Sequence, residues 1–301
     1  MDAPGPEARD LDHLVARCDF PRAGIEVTCA VSGGPDSLAL LALAVHAGCR
    51  VTAVHVDHGL RPGSAAEAGV VRRVAERLGA GFRAERVAVA PGPNLEARAR
   101  AARYAVLPAG ALTGHTADDQ AETVLLNLVR GAGLDGLAGM DPARRPLRRL
   151  RRHETRALCA ALGLDPVADP SNDDPAFRRN RVRRELVPLL DAIAERDVVP
   201  VIARQAELAR ADVRLLDELA GAVDPTDARA LAAAPEPLAR RAVRRWLRAA
   251  GPGGPERHAP GAAATARVLS VARGEAVACE LPGGWRVART GGRLRLEAPG
   301  R

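Results

Sequence analysis

Residues 30–37, Ala-Val-Ser-Gly-Gly-Pro-Asp-Ser, form a glycine-rich turn between two apolar segments. The segment before it, 25–31, alternates and is rich in β-branched residues, which is typical of a strand. The segment after it, 38–45, has the length and composition of a buried helix. A turn from strand to helix directs free backbone N–H groups and the helix dipole at one point, and adjacent glycines let an anion come close. The stretch therefore predicts a phosphate site.

The turn is not a Walker loop, which requires the pattern G-x-x-x-x-G-K-S/T, because the chain contains no lysine. An ordinary tight turn of small residues is the alternative interpretation. We favour phosphate binding because a strand, a helix, an aspartate and a serine accompany the two glycines. The residues of this stretch assigned to nucleotide binding are Ser32, Gly33, Gly34, Pro35, Asp36 and Ser37.

Length and composition place the chain among globular proteins of about two domains. It has 301 residues, of which 47% are hydrophobic, and this fraction is ordinary for such proteins. The first residues lack the basic and apolar regions of a signal peptide. The longest apolar stretch, residues 38–49, is too short to cross a bilayer. We therefore predict a cytoplasmic protein without membrane association.

Cysteine usage and charge narrow the class of protein further. The five cysteines are scattered and never form a C-x-x-C pair, which argues against a disulfide framework, a zinc ribbon and an iron–sulfur cluster. The net charge is +7, and all 44 lysine-plus-arginine residues are arginine. A basic surface suits a polyanionic partner, although a genome rich in G and C would also favour arginine.

The segments after the turn alternate between strands and helices. Strands are predicted at 51–57, 82–89 and 111–113, with helices at 65–78 and from Asn94 onward. This alternation indicates an α/β fold with a doubly wound parallel sheet. Ligands of such sheets bind beyond the carboxyl ends of the strands, so polar residues that follow strands are expected to share one crevice. Besides the turn, these residues are His55, Asp57, His58, Gly114 and His115.

The group His55, Asp57 and His58 has two interpretations. His55 and Asp57 lie on one face of a strand end, where they would be able to bind a metal. We favour the alternative, in which these polar residues line a nucleotide pocket.

Three acidic residues, Asp118, Asp119 and Glu122, lie at the start of a predicted helix. Carboxylates are favoured at that position, and helix capping alone accounts for them when the stretch is considered in isolation. Asp119 and Glu122 are three residues apart, so they share a helix face. Two carboxylates that face a crevice suit a cationic substrate or a magnesium ion.

A series of motifs, in order along the chain, resembles the tRNA(Ile)-lysidine synthases, a family of PP-loop ATP pyrophosphatases. The series comprises S-G-G-P-D-S at 32–37, H-V-D-H-G-L-R at 55–61, A-R-x-x-R-Y at 99–104, D-D-Q-x-E-T at 118–123, D-P-S-N at 169–172 and R-N-R at 179–181. The resemblance extends from about Val27 to Leu190. Arg148 departs from it, since the family has a second leucine after Arg-Pro-Leu, and we expect this to affect local packing alone.

The resemblance implies a PP-loop fold of the adenine nucleotide α-hydrolase type and a specific reaction. Members of the family use ATP to adenylate the C2 oxygen of the wobble cytidine in the CAU anticodon of an isoleucine tRNA, and pyrophosphate is released. The amine of free lysine then displaces AMP, and the modified tRNA reads AUA. The expected cofactors are therefore ATP and Mg²⁺. The expected partners are that tRNA and free lysine, and a homodimer is left open.

The resemblance also implies roles for individual residues. Asp36 would hold Mg²⁺, while Asp119 and Glu122 would bind the amines of lysine. Arg100 and Arg103 would either stabilise a phosphate or position the cytidine, and the sequence leaves this choice open. The catalytic set is Asp36, Arg100, Arg103, Asp119 and Glu122, and the substrate-binding set is Asp119, Glu122, Arg178, Asn180 and Arg181.

Arginine-rich segments are candidate tRNA contacts, and a solvated surface is the alternative for each of them. They lie at 144–156, at 178–184 and in a predicted helix at 237–250. Aromatic residues make up 2% of the chain, so stacking on bases is restricted to few positions. The candidates are Tyr104, Phe177 and Trp246, and Trp246 is equally suited to a hydrophobic core.

We divide the chain into a catalytic domain, 1–195, and a tRNA-binding domain, 196–301. The second is predicted to be a smaller helical domain that ends in a short β element. Its first helix, 201–219, is predicted to contribute the core residues Leu208, Leu215, Leu216 and Leu219. Two other functions stay open: another PP-loop enzyme such as a tRNA thiolase, which commonly needs paired cysteines, and a tRNA-binding protein without catalytic activity.

Overall fold

The computed structural model describes residues 6–57, 59, 64–88, 92, 95–167, 174–250 and 261–299. The chain divides into two units, Met1–Glu207 and Leu208–Arg301. The division falls inside one long helix, α10 (Val199–Gly221), which begins after the expected domain boundary at 195/196. None of the helices in the described part of the chain is both long and apolar enough to cross a membrane.

The first unit contains a parallel sheet with helices around it. Its strands are β1 (Glu26–Ala30), β2 (Arg50–Asp57), β3 (Gly81–Arg86) and β4 (Leu112–Thr113). Its helices are α1 (Pro6–Val15), α2 (Pro35–His46), α3 (Ser64–Arg77), α4 (Leu95–Val106), α5 (Ala117–Val129), α6 (Leu134–Leu137), α7 (Arg152–Ala161), α8 (Arg178–Arg181) and α9 (Val187–Ala194), with a 3₁₀ turn at Pro142–Arg144 and a π-helical stretch at Val182–Leu186. The predicted doubly wound parallel fold is confirmed. The strand predicted at 82–89 is shorter than expected, because β3 ends at Arg86.

Strand order places β1 inside the sheet. Within the described residues the order is β3-β2-β1-β4, and all neighbours are parallel. Ala30 at the end of β1 pairs with Val54 of β2 on one side and with Thr113 of β4 on the other. The chain therefore adds β2 and β3 on one side of β1 and then β4 on the other side, so the order of the strands reverses between β1 and β4. Ligands of open α/β sheets bind beyond the carboxyl ends of the strands at such a reversal.

The helix that follows β1 is buried on all sides. Leu38, Leu40, Leu41 and Leu43 of α2 are 0% exposed, because α2 contacts α1, α3 and α7 as well as strands β1 and β2. Full burial of a leucine contributes about 1.5–3 kcal/mol relative to exposure. The glycine-rich turn at the start of α2 is consequently attached to one of the most firmly packed elements of the unit.

The second unit contains helices and a small antiparallel sheet, as predicted. Its elements are α11 (Ala228–Ala233), α12 (Glu236–Ala250), α13 (Ala262–Arg273), β5 (Ala278–Glu280), β6 (Arg286–Thr290) and β7 (Arg293–Glu297). Within the described residues its strand order is β5-β6-β7. Val243 and Leu247 of α12 are fully buried together with Val268 of α13 and Val287 of β6. Trp246 packs against this core and is partly buried, which favours the core role over base stacking.

The prediction is wrong for three of the four leucines of α10, while the fourth, Leu216, is partly buried. Leu208, Leu215 and Leu219 are 56%, 56% and 48% exposed. The buried positions of α10 are smaller residues, and they include Ala206 and Ala220. At about 100° per residue these alanines lie on nearly the same side of the helix, opposite the three leucines. Leucine spacing therefore identified a helical stripe but not the side that is buried.

Candidate active site

A cavity of about 640 Å³ lies at the carboxyl edge of the sheet, where β1, β2 and β4 end. Most residues of the three predicted polar clusters line it, so the expectation of one shared crevice holds for the described residues. The predicted residues in its wall are Ser32, Gly34, Pro35, Asp36, Ser37, His55, Arg103, Gly114, His115 and Asp119. Its wall also includes Tyr104, Arg152, Arg156, Arg183 and Arg184. Of the remaining candidates, His58 and the side chain of Arg100 lie outside the described residues.

The loop before α2 requires glycine at position 33. Gly33 has φ +91°, in the left-handed region that favours glycine. A Cβ atom there would also come within 3.0 Å of Val167 Cγ2. The backbone N–H of Val167 donates a hydrogen bond to the Gly33 carbonyl at 2.9 Å. This bond holds the turn in place.

Ser37 closes the loop upon itself. Its hydroxyl donates to the Gly34 carbonyl at 2.8 Å and accepts from the backbone N–H of Ser32 at 3.2 Å. Pro35 stands in the first turn of α2, where a missing N–H has no cost. The loop is thus pre-shaped around the amino terminus of a 12-residue helix. Such a terminus favours an anion through its dipole and unsatisfied N–H groups.

Gly114 lets the end of β4 touch the loop. A Cβ atom at position 114 would lie 2.5 Å from the carbonyl oxygen of Asp36 and 3.0 Å from the backbone nitrogen of Ser37. Both are backbone atoms, so a side chain at this position would displace the loop. Gly114 therefore lets the chain at the end of β4 lie directly against the backbone of the loop.

Asp36 is a partly buried carboxylate next to the loop. Its Oδ1 accepts a hydrogen bond from the hydroxyl of Thr155, and its Oδ2 lies 3.7 Å from Arg152 Nε. Burial and the nearby charge of Asp119 raise the pKa of Asp36 to about 6. No group of three or more His, Cys, Asp or Glu residues in the described parts of the chain is placed to hold a metal by itself. A magnesium ion here would therefore combine one carboxylate with phosphate oxygens and water, which is how Mg²⁺ is commonly bound.

The two carboxylate oxygens of Asp119 accept hydrogen bonds from different partners. Oδ2 accepts from the backbone N–H and the hydroxyl of Thr116, at 2.9 and 3.1 Å, and so caps helix α5. Oδ1 accepts from Arg152 Nη2 at 3.0 Å and Arg179 Nη2 at 3.3 Å. Burial opposes ionisation, but these guanidiniums overcome it and lower the pKa of Asp119 to about 2. Asp119 therefore combines helix capping with ion pairing to two arginines.

Glu122 is enclosed by three arginines and is 1% exposed. Oε1 accepts from Arg152 Nη1 at 3.0 Å and from Arg183 Nε at 2.7 Å. Oε2 accepts from Arg179 Nε at 2.7 Å and from Arg183 Nη2 at 3.3 Å. A carboxylate offers about four acceptor positions, so Glu122 is saturated. We name Asp36, Asp119, Glu122, Arg152, Arg179 and Arg183 the carboxylate–arginine cluster.

The third acidic residue of this stretch, Asp118, has a different environment. Its Oδ2 accepts from the backbone N–H of Arg152 at 2.8 Å, and Arg151 Nε lies 3.1 Å from the same oxygen. Asp118 thus fixes the start of α7, which carries Arg152 into the cluster.

Residues 7–190 match the PP-loop domain family. A tRNA(Ile)-lysidine synthase of Nocardia farcinica is 46% identical over 245 residues, covering 76% of this chain and 77% of the relative. One from Salinispora tropica is 43% identical over 316 residues, covering 95% of this chain and 94% of the relative. This chain belongs to the tRNA(Ile)-lysidine synthase family. The resemblance inferred from the ordered motifs is confirmed.

A solved structure outside the tRNA(Ile)-lysidine synthase family shares the fold. The U34-tRNA thiolase NcsA from Methanococcus maripaludis superposes with a TM-score of 0.53 over 68% of this chain and 78% of its own. Its sequence identity is 20%, so this likeness concerns the fold alone.

Several candidates implied by the family motifs have well-defined surroundings. His55 is 2% exposed, and its Nδ1 lies 2.9 Å from the Val31 carbonyl. Asp57 Oδ1 accepts from the Gly59 backbone at 2.8 Å. His115 Nδ1 lies 2.8 Å from Thr113 Oγ1. That hydroxyl donates to a backbone carbonyl, so His115 Nδ1 is the donor to it.

Helix α8 separates the predicted substrate residues from the cluster. Arg178 and Arg181 are exposed, and Arg181 forms an ion pair with Glu185 at 2.8 Å. Asn180 is buried and its amide donates to the Asp174 carbonyl at 2.8 Å. The arginines that turn inward are Arg179 and Arg183, which the sequence reasoning did not select. Their spacing of four residues is the signal that a helix would bring both to one face.

The arginine run at 144–156 is largely engaged within the protein. Arg151 and Arg152 bind the carboxylates described above, and Arg151 also pairs with Asp197. Arg148, the departure from the family pattern, pairs with Asp19 at 2.9 Å and with Glu207. This departure therefore adds an ion-pair junction between Asp19 and Glu207.

Proposed function

We propose that this chain ligates lysine to C2 of the wobble cytidine in the CAU anticodon of isoleucine tRNA. The reaction consumes ATP, passes through an adenylated cytidine, and releases pyrophosphate and AMP. One observation carries the proposal: in a chain of this family, the glycine-rich loop lines the same cavity as four members of the carboxylate–arginine cluster, Asp36, Asp119, Arg152 and Arg183. The product tRNA would read AUA codons, and the reaction would take place in the cytoplasm, where tRNA, ATP and lysine meet.

The loop supplies the nucleotide site. Backbone N–H groups of residues 32–37 and the amino terminus of α2 bind the pyrophosphate part of ATP. Asp36 would hold Mg²⁺, which would supply positive charge to the phosphates of ATP. Ser37 and Gly114 keep the loop in shape through their contacts with its backbone.

The carboxylate–arginine cluster supplies the lysine site. Asp119 Oδ1 borders the cavity and receives the weaker of its two arginine contacts from Arg179. A lysine ammonium is able to replace Arg179 there without breaking the helix cap on Oδ2. Contact between lysine and Glu122 stays a prediction, since it requires displacing an arginine from a saturated carboxylate. Nearby guanidiniums also disfavour a protonated amine, which promotes the free amine needed for attack.

The wobble cytidine must leave its stack to reach the adenylation site. Arg103 and Tyr104 line the cavity, and we propose that they contact either the base or its phosphate. The exposed Arg178 and Arg181 of α8, together with the arginines of α12 in the second unit, are the proposed tRNA contacts. The first unit would thus carry the chemistry, and the second would bind tRNA.

Thiolation is the rival reaction on this fold, and cysteine chemistry counts against it. Burial raises the pKa of Cys29 and of Cys18 to about 12, so neither is activated as a thiolate. Burial likewise raises the pKa of Cys159 to about 11.

The test is incubation with ATP, labelled lysine and isoleucine tRNA transcripts that bear CAU. Label in the RNA, together with AMP and pyrophosphate, supports the proposal. A methionine tRNA transcript with the same anticodon is the matched control. Pyrophosphate release without lysine incorporation would contradict lysine transfer, and label transfer from a sulfur donor would favour thiolation.

A further inference from the structure

His55 stands at the junction of the phosphate loop and the neighbouring strand. In the register of the sheet, Val54 pairs with Ala30, and the Val31 backbone N–H donates to the Val54 carbonyl at 2.9 Å. His55 is therefore level with Val31, the residue before Ser32. His55 is part of the cavity wall, and the residue is 2% exposed.

The backbone fixes which nitrogen of His55 carries the proton. Nδ1 lies 2.9 Å from the carbonyl oxygen of Val31. A carbonyl oxygen only accepts hydrogen bonds, so Nδ1 must be the protonated nitrogen. In the neutral imidazole, Nε2 then presents a lone pair and acts as an acceptor.

Nε2 is buried and has no hydrogen-bond partner among the described residues. A buried acceptor without a donor is unfavourable and rare in folded proteins. Because His55 borders the cavity, a donor carried by a ligand is able to satisfy Nε2.

We propose that His55 Nε2 accepts a hydrogen bond from the nucleoside part of ATP and so helps to select this nucleotide. The proposal rests on the proposed function for the identity of the nucleotide. The phosphate oxygens of ATP accept hydrogen bonds, so its donors are the adenine amine and the two ribose hydroxyls. An amine donor would exclude guanine, which has a carbonyl oxygen at that position, whereas a hydroxyl donor would select ribose over deoxyribose.

Two substitutions test the roles of Nδ1 and Nε2 separately. His55→Asn keeps an amide N–H near the position of Nδ1, so the bond to Val31 is retained while the acceptor is lost. His55→Gln carries an amide near the position of Nε2, so an acceptor is retained. We expect His55→Asn to bind ATP about tenfold more weakly than the wild type, and His55→Gln to stay within about threefold. Both should bind inorganic tripolyphosphate like the wild type, and thermal melting of each free protein monitors folding.

Analogues of ATP identify the donor by titration calorimetry on the full chain. They are 2′-deoxyATP, 3′-deoxyATP and purine riboside triphosphate, which lacks the amine. The analogue that lacks the donor should bind the wild type about tenfold more weakly than ATP binds it. In His55→Asn, this analogue and ATP should bind with equal affinity. The proposal is overturned if every analogue loses the same factor in both proteins. It is also overturned if His55→Asn weakens tripolyphosphate as much as ATP. Neither tRNA nor lysine is present, so failure here and failure of lysine transfer are separate results.

Discussion

Replacement of Gly114 by alanine isolates the contact between β4 and the phosphate loop. The new Cβ would lie 2.5 Å from the Asp36 carbonyl oxygen, whereas Cβ atoms essentially never come closer than 3.0 Å to a neighbour. The loop or the end of β4 must therefore move by at least about 0.5 Å. Overpacking of this kind costs about 1–3 kcal/mol. For a protein of 301 residues that lowers Tm by roughly 2–5 °C.

The substitution should also lower the catalytic rate. A displacement near 1 Å at a catalytic site costs about 100-fold in rate, and Asp36 is the residue that the new Cβ pushes. We expect pyrophosphate release, measured with ATP and tRNA but without lysine, to fall about 100-fold in Gly114→Ala. The assay is run at a temperature where the variant is folded, as judged by its melting curve.

Gly69→Ala is the matched control. Gly69 lies inside α3, and a Cβ there would meet Arg73 Nη1 at the ordinary distance of 3.6 Å. Alanine in place of glycine inside a helix stabilises by about 1 kcal/mol, so this control should raise Tm and leave pyrophosphate release unchanged. Wild-type pyrophosphate release in Gly114→Ala would refute the argument that close backbone approach sets the loop position.

Three further substitutions test the cluster and the RNA surface. Asp36→Asn should abolish adenylation. It should also stabilise the metal-free protein at pH 7 by about 1–3 kcal/mol. The pKa of the Asp36 carboxyl is about 6 in the folded protein and lower in the unfolded chain, so its ionisation opposes folding. This gain in the free energy of unfolding should disappear as the pH falls from 6 towards 4, and destabilisation at pH 7 would contradict it. Glu122→Gln should destabilise by about 3–5 kcal/mol in denaturant titrations, since it removes a buried charge that accepts hydrogen bonds from three guanidiniums, whereas Glu185→Gln at the exposed pair should have no measurable effect. Arg178→Glu should weaken tRNA binding and lower the slope of log affinity against log salt by about one; an unchanged slope would place the RNA elsewhere.

The fold was predictable because its signals are local. A strand, a glycine turn and an apolar helix follow each other within residues 25–45, and each later strand ends in polar residues. The parallel sheet and the shared crevice follow from that order. The need for glycine at 114 was not visible, because it depends on the Asp36 carbonyl, which is distant in sequence.

The sequence did not determine which side of each helix is buried. The segment 178–184 carries arginine on every side of the helix, so its periodicity does not say which side chains turn inward. Glu122 decides this, because it binds Arg179 and Arg183 at 2.7 Å each and leaves Arg178 exposed. Local patterns predict that a helix forms, while tertiary partners choose its buried side.

The composition of the cluster has a consequence for the proposed reaction. An adenylated cytidine is open to attack by any free amine held beside it, and a lysine of the protein at this place would compete with the substrate. The chain contains no lysine, and the cations that border Asp119 and Glu122 are Arg152, Arg179 and Arg183. Guanidinium groups keep their proton under all ordinary conditions and are poor nucleophiles. The cluster therefore balances its buried carboxylates with cations that cannot take the place of the attacking amine. Under the proposed function, Arg179→Lys would introduce such an amine, and mass spectrometry of the protein after incubation with ATP and tRNA, without lysine, should detect a protein–RNA adduct.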